Sequence, residues 1–343
     1  MVGKELFKAM SEGKMPERIP FVPVIYEHAA KVIGKPMSEL CQSADLLVEA
    51  QLKSYELYKY DLISVGVDIY NVEYEAMGAK FDYTDKDSLP ATSDILVKCK
   101  ENLKGLKVPD PQKDGRMPMF LDAAERINKE VGSEVGVSGT IMGPFTLAAI
   151  ARGFENIIMD MIDDPEFVEE QLEFALEVVL EYGKAFIDRG VGVAINESWI
   201  APPLLSPSFY KKYAVKYEKR LIFELKEYGA ASVALISGGR TTPIISDMAS
   251  TGTSLLMCDY SNDRKLFKKF CIEHDIILRA SIESKIVSNG SDEDIYKETK
   301  AVIDDCADYN KFVMGCGVVG YDTKPDRLIR FREIVRELDP RKH

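Results

Sequence analysis

Ionisable and hydroxyl side chains follow short apolar runs at intervals along this chain. Tyr26-Glu27-His28 ends the first run and Asp68-Ile69-Tyr70 the second. Asn196-Glu197-Ser198-Trp199, Ser237-Gly238-Gly239-Arg240 and Cys258-Asp259-Tyr260 end later ones, as do Ser281-Ile282-Glu283 and Gly315-Cys316-Gly317. Glu197, beside the apolar Trp199 and Ile200, reads as a general acid or base whose pKa is raised by its surroundings. The plainer reading is a rim residue paired to Arg240. His28 with Glu27 could shuttle a proton or act as a ligand, against a helix-start histidine satisfied by hydrogen bonds. Cys316 is either a thiol that meets substrate or a small residue packed between glycines. Gly238 to Thr242 could cradle an anion with backbone N–H groups and Arg240, or the glycines could simply widen a pocket. Tyr26, Tyr70, Trp199, Ser237, Arg240, Asp259 and Glu283 are expected to contact substrate, with core packing the rival for Trp199.

These residues need elements that bring them together. Eight apolar runs read as strands: Ile19–Tyr26, Leu62–Val67, Val135–Gly139, Val191–Asn196, Ser232–Ser237, Ser254–Cys258, Ile276–Ala280 and Lys311–Gly315. Most are near-continuously hydrophobic, as parallel strands buried on both faces are. Amphipathic helices are expected near Ala44–Tyr58, Phe120–Val131, Pro165–Arg189, Ser208–Tyr228, Thr242–Ser250, Asp263–Glu273, Asp292–Cys306 and Lys324–Leu338. Asp164 suits the N-cap of the Pro165 helix, Pro165 its first turn and Gly190 its C′ stop. Eight strand–helix units imply an α/β (β/α)8 TIM barrel over residues 1–343 as one domain. It has an N-terminal helical extension and an insertion, Tyr70 to Met119, after the second strand that lines the mouth. A doubly wound sheet is the rival, but no G-x-G-x-x-G follows the first strand. In a barrel the strand ends converge on one face, where the chemistry is done.

Composition narrows the partners. With 46% hydrophobic and 29% charged residues the chain is globular. Lys and Arg total 44 against 56 Asp and Glu, a net charge of −12, which argues against nucleic acid or an anionic membrane surface. The longest tempting apolar stretch, Val135 to Ala151, is too short and too glycine-rich to span a bilayer. No export signal is expected in the first residues. Six cysteines without a C-x-x-C pair suit a reducing cytoplasm.

Several short motifs then fall in one order. They are Asp68-Ile-Tyr with Glu75-Ala-Met-Gly78, Gly143-Pro-Phe-Thr146, Asp164-Pro-Glu166, Leu205-Ser-Pro207, Thr241-Thr-Pro243 and Gly315-Cys-Gly317. Their order and spacing resemble the uroporphyrinogen decarboxylase superfamily over essentially the whole chain. That resemblance implies a (β/α)8 barrel and two branches, the decarboxylase and the corrinoid-dependent methyltransferases. Against the decarboxylase branch, its arginine-rich stretch is replaced by Tyr26-Glu-His-Ala-Ala-Lys31, its tyrosine by Ile150 and its G-H-G histidine by Cys316. Only its catalytic Asp is matched, by Asp68. A polycarboxylate would meet Glu27 instead of arginine.

Cys316 in G-C-G is similar to the methyltransferase branch, where it is one of three zinc ligands. The partner H-x-C positions fall on Ile236 and Gly238, which cannot bind metal. A zinc site would have to be rebuilt around Cys316 from Glu197, Asp259, Cys258 or Glu283. The resemblance thus implies methyl transfer between a small methylated substrate and the cobalt of a corrinoid (cobalamin) on a partner protein, not by the usual zinc–thiolate route. Glu197, Asp68 or His28 would protonate the leaving group. The rivals are a decarboxylase or lyase of another small acid using Asp68, and a non-catalytic corrinoid-binding barrel.

Overall fold

The protein is described by a computed structural model covering residues 1–84 and 88–342. Seven parallel strands pair in chain order: β1 (Leu62–Val65), β2 (Gly136–Met142), β3 (Gly192–Asn196), β4 (Val233–Ile236), β5 (Leu255–Cys258), β6 (Ile277–Ile282) and β7 (Phe312–Cys316). Helices intervene between successive strands, so each crossover returns the chain to the same end, as a parallel sheet requires. The outcome is a TIM-barrel-like α/β fold.

The first expected strand differs. Residues 19–26 make only two single-residue bridges, Phe21 with Met314 and Val24 with Val318. The Val22 amide donates to Met314 O at 2.8 Å, and the Asp61 amide, at the start of β1, donates to Phe21 O at 2.8 Å. The segment therefore stands in the eighth position, between β7 and β1, without being a regular strand. Pro20 and Pro23 explain this: each removes a ladder donor. Arg18 ties the segment down with a two-point ion pair to buried Asp61, both contacts at 2.7 Å, and Asp61 also accepts from the Phe21 amide.

The helices follow the expected pattern with local changes. The long helix runs Pro165–Ile187; Asp164 accepts from the Phe167 amide at 3.3 Å and Gly190 takes a positive φ of 73° past the end. The expected Ser208–Tyr228 helix is broken by a π turn at Tyr210–Ala214. The helix Gly3–Ser11 lies under the barrel, with Gly3 so close to Asp61 that a Cβ would meet its carbonyl oxygen at 2.7 Å. The insertion after β1 carries two short helices, Val72–Ala76 and Lys100–Gly105. No helix among the described residues is long and apolar enough to cross a membrane.

Alternation along the strands decides what reaches the barrel interior. Ile63 and Val65 of β1 are packed in the outer core, whereas Leu62 and Ser64 line a central cavity. Ser138, Ala194 and Ala234 line it from β2, β3 and β4. These small residues leave the interior open, and the cavity measures about 1380 Å³.

Candidate active site

The cavity runs the length of the barrel, from Phe7, Gly190 and His274 near the strand starts to the strand ends. Its mouth is lined by Tyr26 and Glu27 after the closing segment, Asp68 and Tyr70 after β1, Asn196 and Ser198 around the end of β3, and Asp259 after β5. Leu89 and Pro90 of the insertion also reach it, so the insertion does line the mouth. Tyr26 is buried, and burial pushes its phenol well above the usual range. Burial also pushes up Tyr70, whose hydroxyl hydrogen-bonds to that of Ser198. Both phenols are therefore protonated donors at neutral pH. Glu27 is pushed upward by burial as well.

Asp68 is held rather than free. Arg116 donates to its two oxygens at 3.0 and 2.7 Å, and Asn71 adds a donor at 3.3 Å. The same guanidinium bonds Glu75 and donates to Cys41 O at 2.9 Å. Burial pushes the Asp68 carboxyl up while Arg116 pulls the other way. Arg116 lies just before the helix Met117–Val131, inside the insertion, where a lone arginine carries no motif to mark it.

Seven expected catalytic or binding side chains lie outside the cavity lining: Glu197, Arg240, Ser237, Trp199, His28, Glu283 and Cys316. Glu197 follows Asn196, and one step along a strand reverses the side chain, so Glu197 faces the helix layer. It is fully buried, and Oε1 accepts from the Thr146 amide at 2.6 Å and from the Thr146 hydroxyl. Oε2 accepts from the Phe145 amide at 3.3 Å. Gly143 makes the room: a Cβ there would lie 1.9 Å from Oε2. The carboxyl thus caps the helix Pro144–Arg152, not Arg240, and burial pushes it up to about 7 against the pull of Thr146. Arg240 is exposed and makes no ion pair among the described residues. Ser237 is buried with its hydroxyl toward Gly238 O, and Trp199 packs edge-on against Phe154 with ring centroids 5.3 Å apart.

His28 lies in the helix His28–Val32, where Nε2 meets the Tyr58 hydroxyl at 2.7 Å; burial lowers its pKa. Glu283 immediately precedes the helix Ser284–Asn289 and does not line the cavity. Cys316 is buried outside the lining, its thiol pushed up to about 12. In the Gly238–Thr242 loop the Gly239 amide donates to Asp259 at 2.8 Å and the Thr242 amide to Asn262 at 2.8 Å. Those two backbone donors of the expected anion cradle are already taken.

The fit to zinc fails on this geometry. Ile236 and Gly238 do line the cavity, but neither carries a ligand atom, and Cys316 is not beside them in the lining. Among the described residues no three His, Cys, Asp or Glu side chains converge. Two buried groups were not anticipated. Glu73 accepts from the Met142 amide at 2.6 Å through Oε1, leaves Oε2 without a partner, and is pushed up to about 8 by burial. Arg279, in the middle of β6, lines the cavity. Its signal was legible: it is the one charge inside an apolar strand.

Comparison with known proteins agrees with this architecture. The family described as Uroporphyrinogen decarboxylase (URO-D) matches residues 3–338. A methylcobamide:CoM methyltransferase, MtbA, of Methanosarcina acetivorans is 28% identical over 261 residues, 76% of this chain and 75% of that protein. A uroporphyrinogen decarboxylase of Geobacter sp. is 25% identical over 276 residues, 78% of this chain and 77% of that protein. The solved structure of a methyltransferase from Methanosarcina mazei superposes with a TM-score of 0.87 at 22% identity, covering 98% of this chain and 99% of that one.

Proposed function

This chain belongs to the uroporphyrinogen decarboxylase family, and on that premise we propose that it is a corrinoid-dependent methyltransferase. It moves a methyl group between a small methylated substrate and the cobalt of a corrinoid carried by a partner protein, in the cytoplasm, without a zinc thiolate. The observation that carries the proposal is the set of groups lining the mouth. Tyr26 and Tyr70 are protonated donors and burial pushes the Glu27 carboxyl upward, while the positions that would supply zinc ligands are Ile236 and Gly238. Such a mouth suits protonating a leaving group and is poorly suited to activating a thiol.

When docked, a reduced corrinoid would supply the nucleophile that accepts the methyl group. The chain's own residues do the rest. Tyr26 and Tyr70 donate hydrogen bonds to the oxygen or nitrogen that the methyl leaves, lowering the charge that develops there. Asp68, fixed by Arg116, orients that end of the substrate. Glu197 acts as a positioning residue: it pins the start of the Pro144 helix beside Ser198, the partner of Tyr70. Cys316 and His28 hold the surrounding core.

The rim supports a docked partner. Leu89, Leu204, Tyr260 and Val318 are exposed apolar residues, 37%, 53%, 47% and 43% accessible, on loops at the strand-end face. Apolar residues gathered at a cavity mouth are the usual mark of an interaction surface. The test is anaerobic: cob(I)alamin spectra with a panel of methyl ethers and methylated amines, beside a working methyltransferase of the family. Formation of the methylated spectrum with any donor supports the proposal. No spectral change across the panel, with the control active, sinks it.

One observation favours a second reading. Asp68 lines the cavity and keeps its place against a guanidinium, so a decarboxylase or lyase of a small acid would have its carboxylate in position. Carbon dioxide release that disappears in Asp68→Asn is its signature.

A further inference from the structure

Arg279 is a buried cation whose hydrogen bonds all go to neutral acceptors. It is 4% exposed, and among the described residues it forms no ion pair. Nε donates to Val22 O at 2.9 Å and Nη2 to Cys316 O at 2.6 Å. Nη1 meets only the Met257 sulfur, at 3.4 Å, a weak acceptor for two of the five guanidinium hydrogens. The side chain lines the cavity with Met257 and Tyr26. The fold makes specific room for it, since a Cβ on Gly315 would stand 2.7 Å from Nε. A guanidinium taken out of water loses hydration that two carbonyls do not replace. Other buried arginines here are treated differently: Arg18 and Arg116 each hold a carboxylate in two-point contact.

We propose that Arg279 is the docking point for a singly charged oxyanion group, a carboxylate or a sulfonate, on the substrate. The planar fork of Arg matches two oxygens of such a group, and Nη1 offers the unfilled donors. Asp259 lies within electrostatic reach of Arg279 and also lines the cavity, which disfavours a doubly charged phosphate. Arg279 is borne on a strand, and Tyr70 and Asp259 on the loops beyond the strand ends. The anionic end of the substrate therefore lies inside the barrel, midway along the cavity, and the other end points to the strand-end mouth. Which end reacts rests on the methyl-transfer reading; the binding itself does not.

The experiment is thermal unfolding with methoxyacetate, ethanesulfonate and the neutral methoxyacetamide, at constant ionic strength set with sodium chloride. At ten times the dissociation constant an anion that binds only the folded protein raises Tm by about 2 °C for a chain of this size. We expect that rise with at least one of the two anions and none with the amide; which anion responds separates carboxylate from sulfonate. Arg279→Met abolishes the rise. Arg279→Lys keeps the charge but loses the fork, and at least halves it, which decides the matter if the Met variant fails to fold. An equal response to the amide, no response to either anion, or a full response in Arg279→Lys overturns the proposal. Turnover of methyl donors by cob(I)alamin with no Tm response to either anion leaves methyl transfer standing and removes the anion site. Anion binding through Arg279 with no donor consumed by cob(I)alamin does the reverse.

Discussion

Glu197 and Thr146 form one capping unit: a single carboxyl oxygen accepts from both the amide, at 2.6 Å, and the hydroxyl of Thr146. With Phe145 donating to the other oxygen, the buried carboxyl completes the first turn of the helix Pro144–Arg152. Removing it leaves two buried N–H groups without partners, each costing about 1–3 kcal/mol. Glu197→Ala is therefore expected to destabilise by about 3 kcal/mol in urea melts, and Thr146→Val by about 1 kcal/mol. Because the two share one contact, the double variant should lose less than the sum of the singles. If Glu197→Gln abolishes turnover at full stability, Glu197 is a chemical participant and not a positioning residue.

That pair also shows what the sequence could and could not display. The strand ends were legible because apolar runs stop abruptly at polar residues, and the fold followed from counting them. Which polar residue faces the cavity depends on parity along a strand, and a single-residue step separates Asn196, in the lining, from Glu197, in the helix layer. Ser237 fell on the same wrong side, between Ile236 and Gly238, which do line the cavity. The Gly-Pro-Phe-Thr motif was visible, but its use as a receptor for a carboxyl fifty residues away was not, because partner choice across the barrel leaves no local spacing. Pro20 and Pro23 were in plain view, yet Ile19–Tyr26 reads as a strand by apolarity alone; the two missing amide donors are what make it irregular.

Three buried carboxyls set a pH dependence. Burial raises Glu73 to about 8 and Glu197 to about 7, from 4.5, and pushes Glu218 upward as well. A folded-state pKa above the unfolded one means the native protein binds more protons between those values. Stability is thus full below pH 4.5 for these groups and falls as pH rises through 7 and 8. Glu73 alone accounts for up to about 5 kcal/mol of that fall. Tm should drop steadily from pH 5.5 to 8.5, and Glu73→Gln should flatten the curve, being close to neutral at low pH and stabilising at high pH. A Tm that rises over that range, or an unchanged slope in Glu73→Gln, would refute the assignment.

Cys316 makes a separate prediction about metal. Its thiol is buried outside the cavity lining, away from Ile236 and Gly238, and burial pushes it up to about 12. Protein purified without oxygen should carry no stoichiometric zinc that depends on Cys316. Cys316→Ala should cost about 1 kcal/mol of packing and leave turnover within a few-fold of wild type. One zinc per chain, lost in the variant, would restore the thiolate route.

Asp68 and Arg116 should behave as a unit. Asp68→Asn leaves a buried guanidinium with Glu75 alone, and Arg116→Met leaves two carboxylates facing each other without their cation. Breaking a buried pair from one side costs about 3–5 kcal/mol. A double-mutant cycle by urea denaturation should return a coupling of about 2 kcal/mol or more. Zero coupling would show that the two-point contact does not persist in solution.

The phenols at the mouth give the sharpest test of the chemistry. A donor of hydrogen bonds to a leaving atom matters most when that atom is strongly basic, because more charge must then be relieved in the transition state. Tyr26→Phe and Tyr70→Phe remove the hydroxyls and keep the rings, so packing is preserved. For alkyl methyl ethers, whose leaving alkoxide is very basic, each variant should slow methyl loss to cob(I)alamin by about 10²-fold or more. For quaternary methylammonium donors, which leave as neutral amines, the same variants should fall by only a few-fold. In wild type a plot of log kcat against leaving-group pKa should be shallow, and in the variants steep. Equal losses for ethers and quaternary amines would mean that the tyrosines bind substrate without assisting the leaving group.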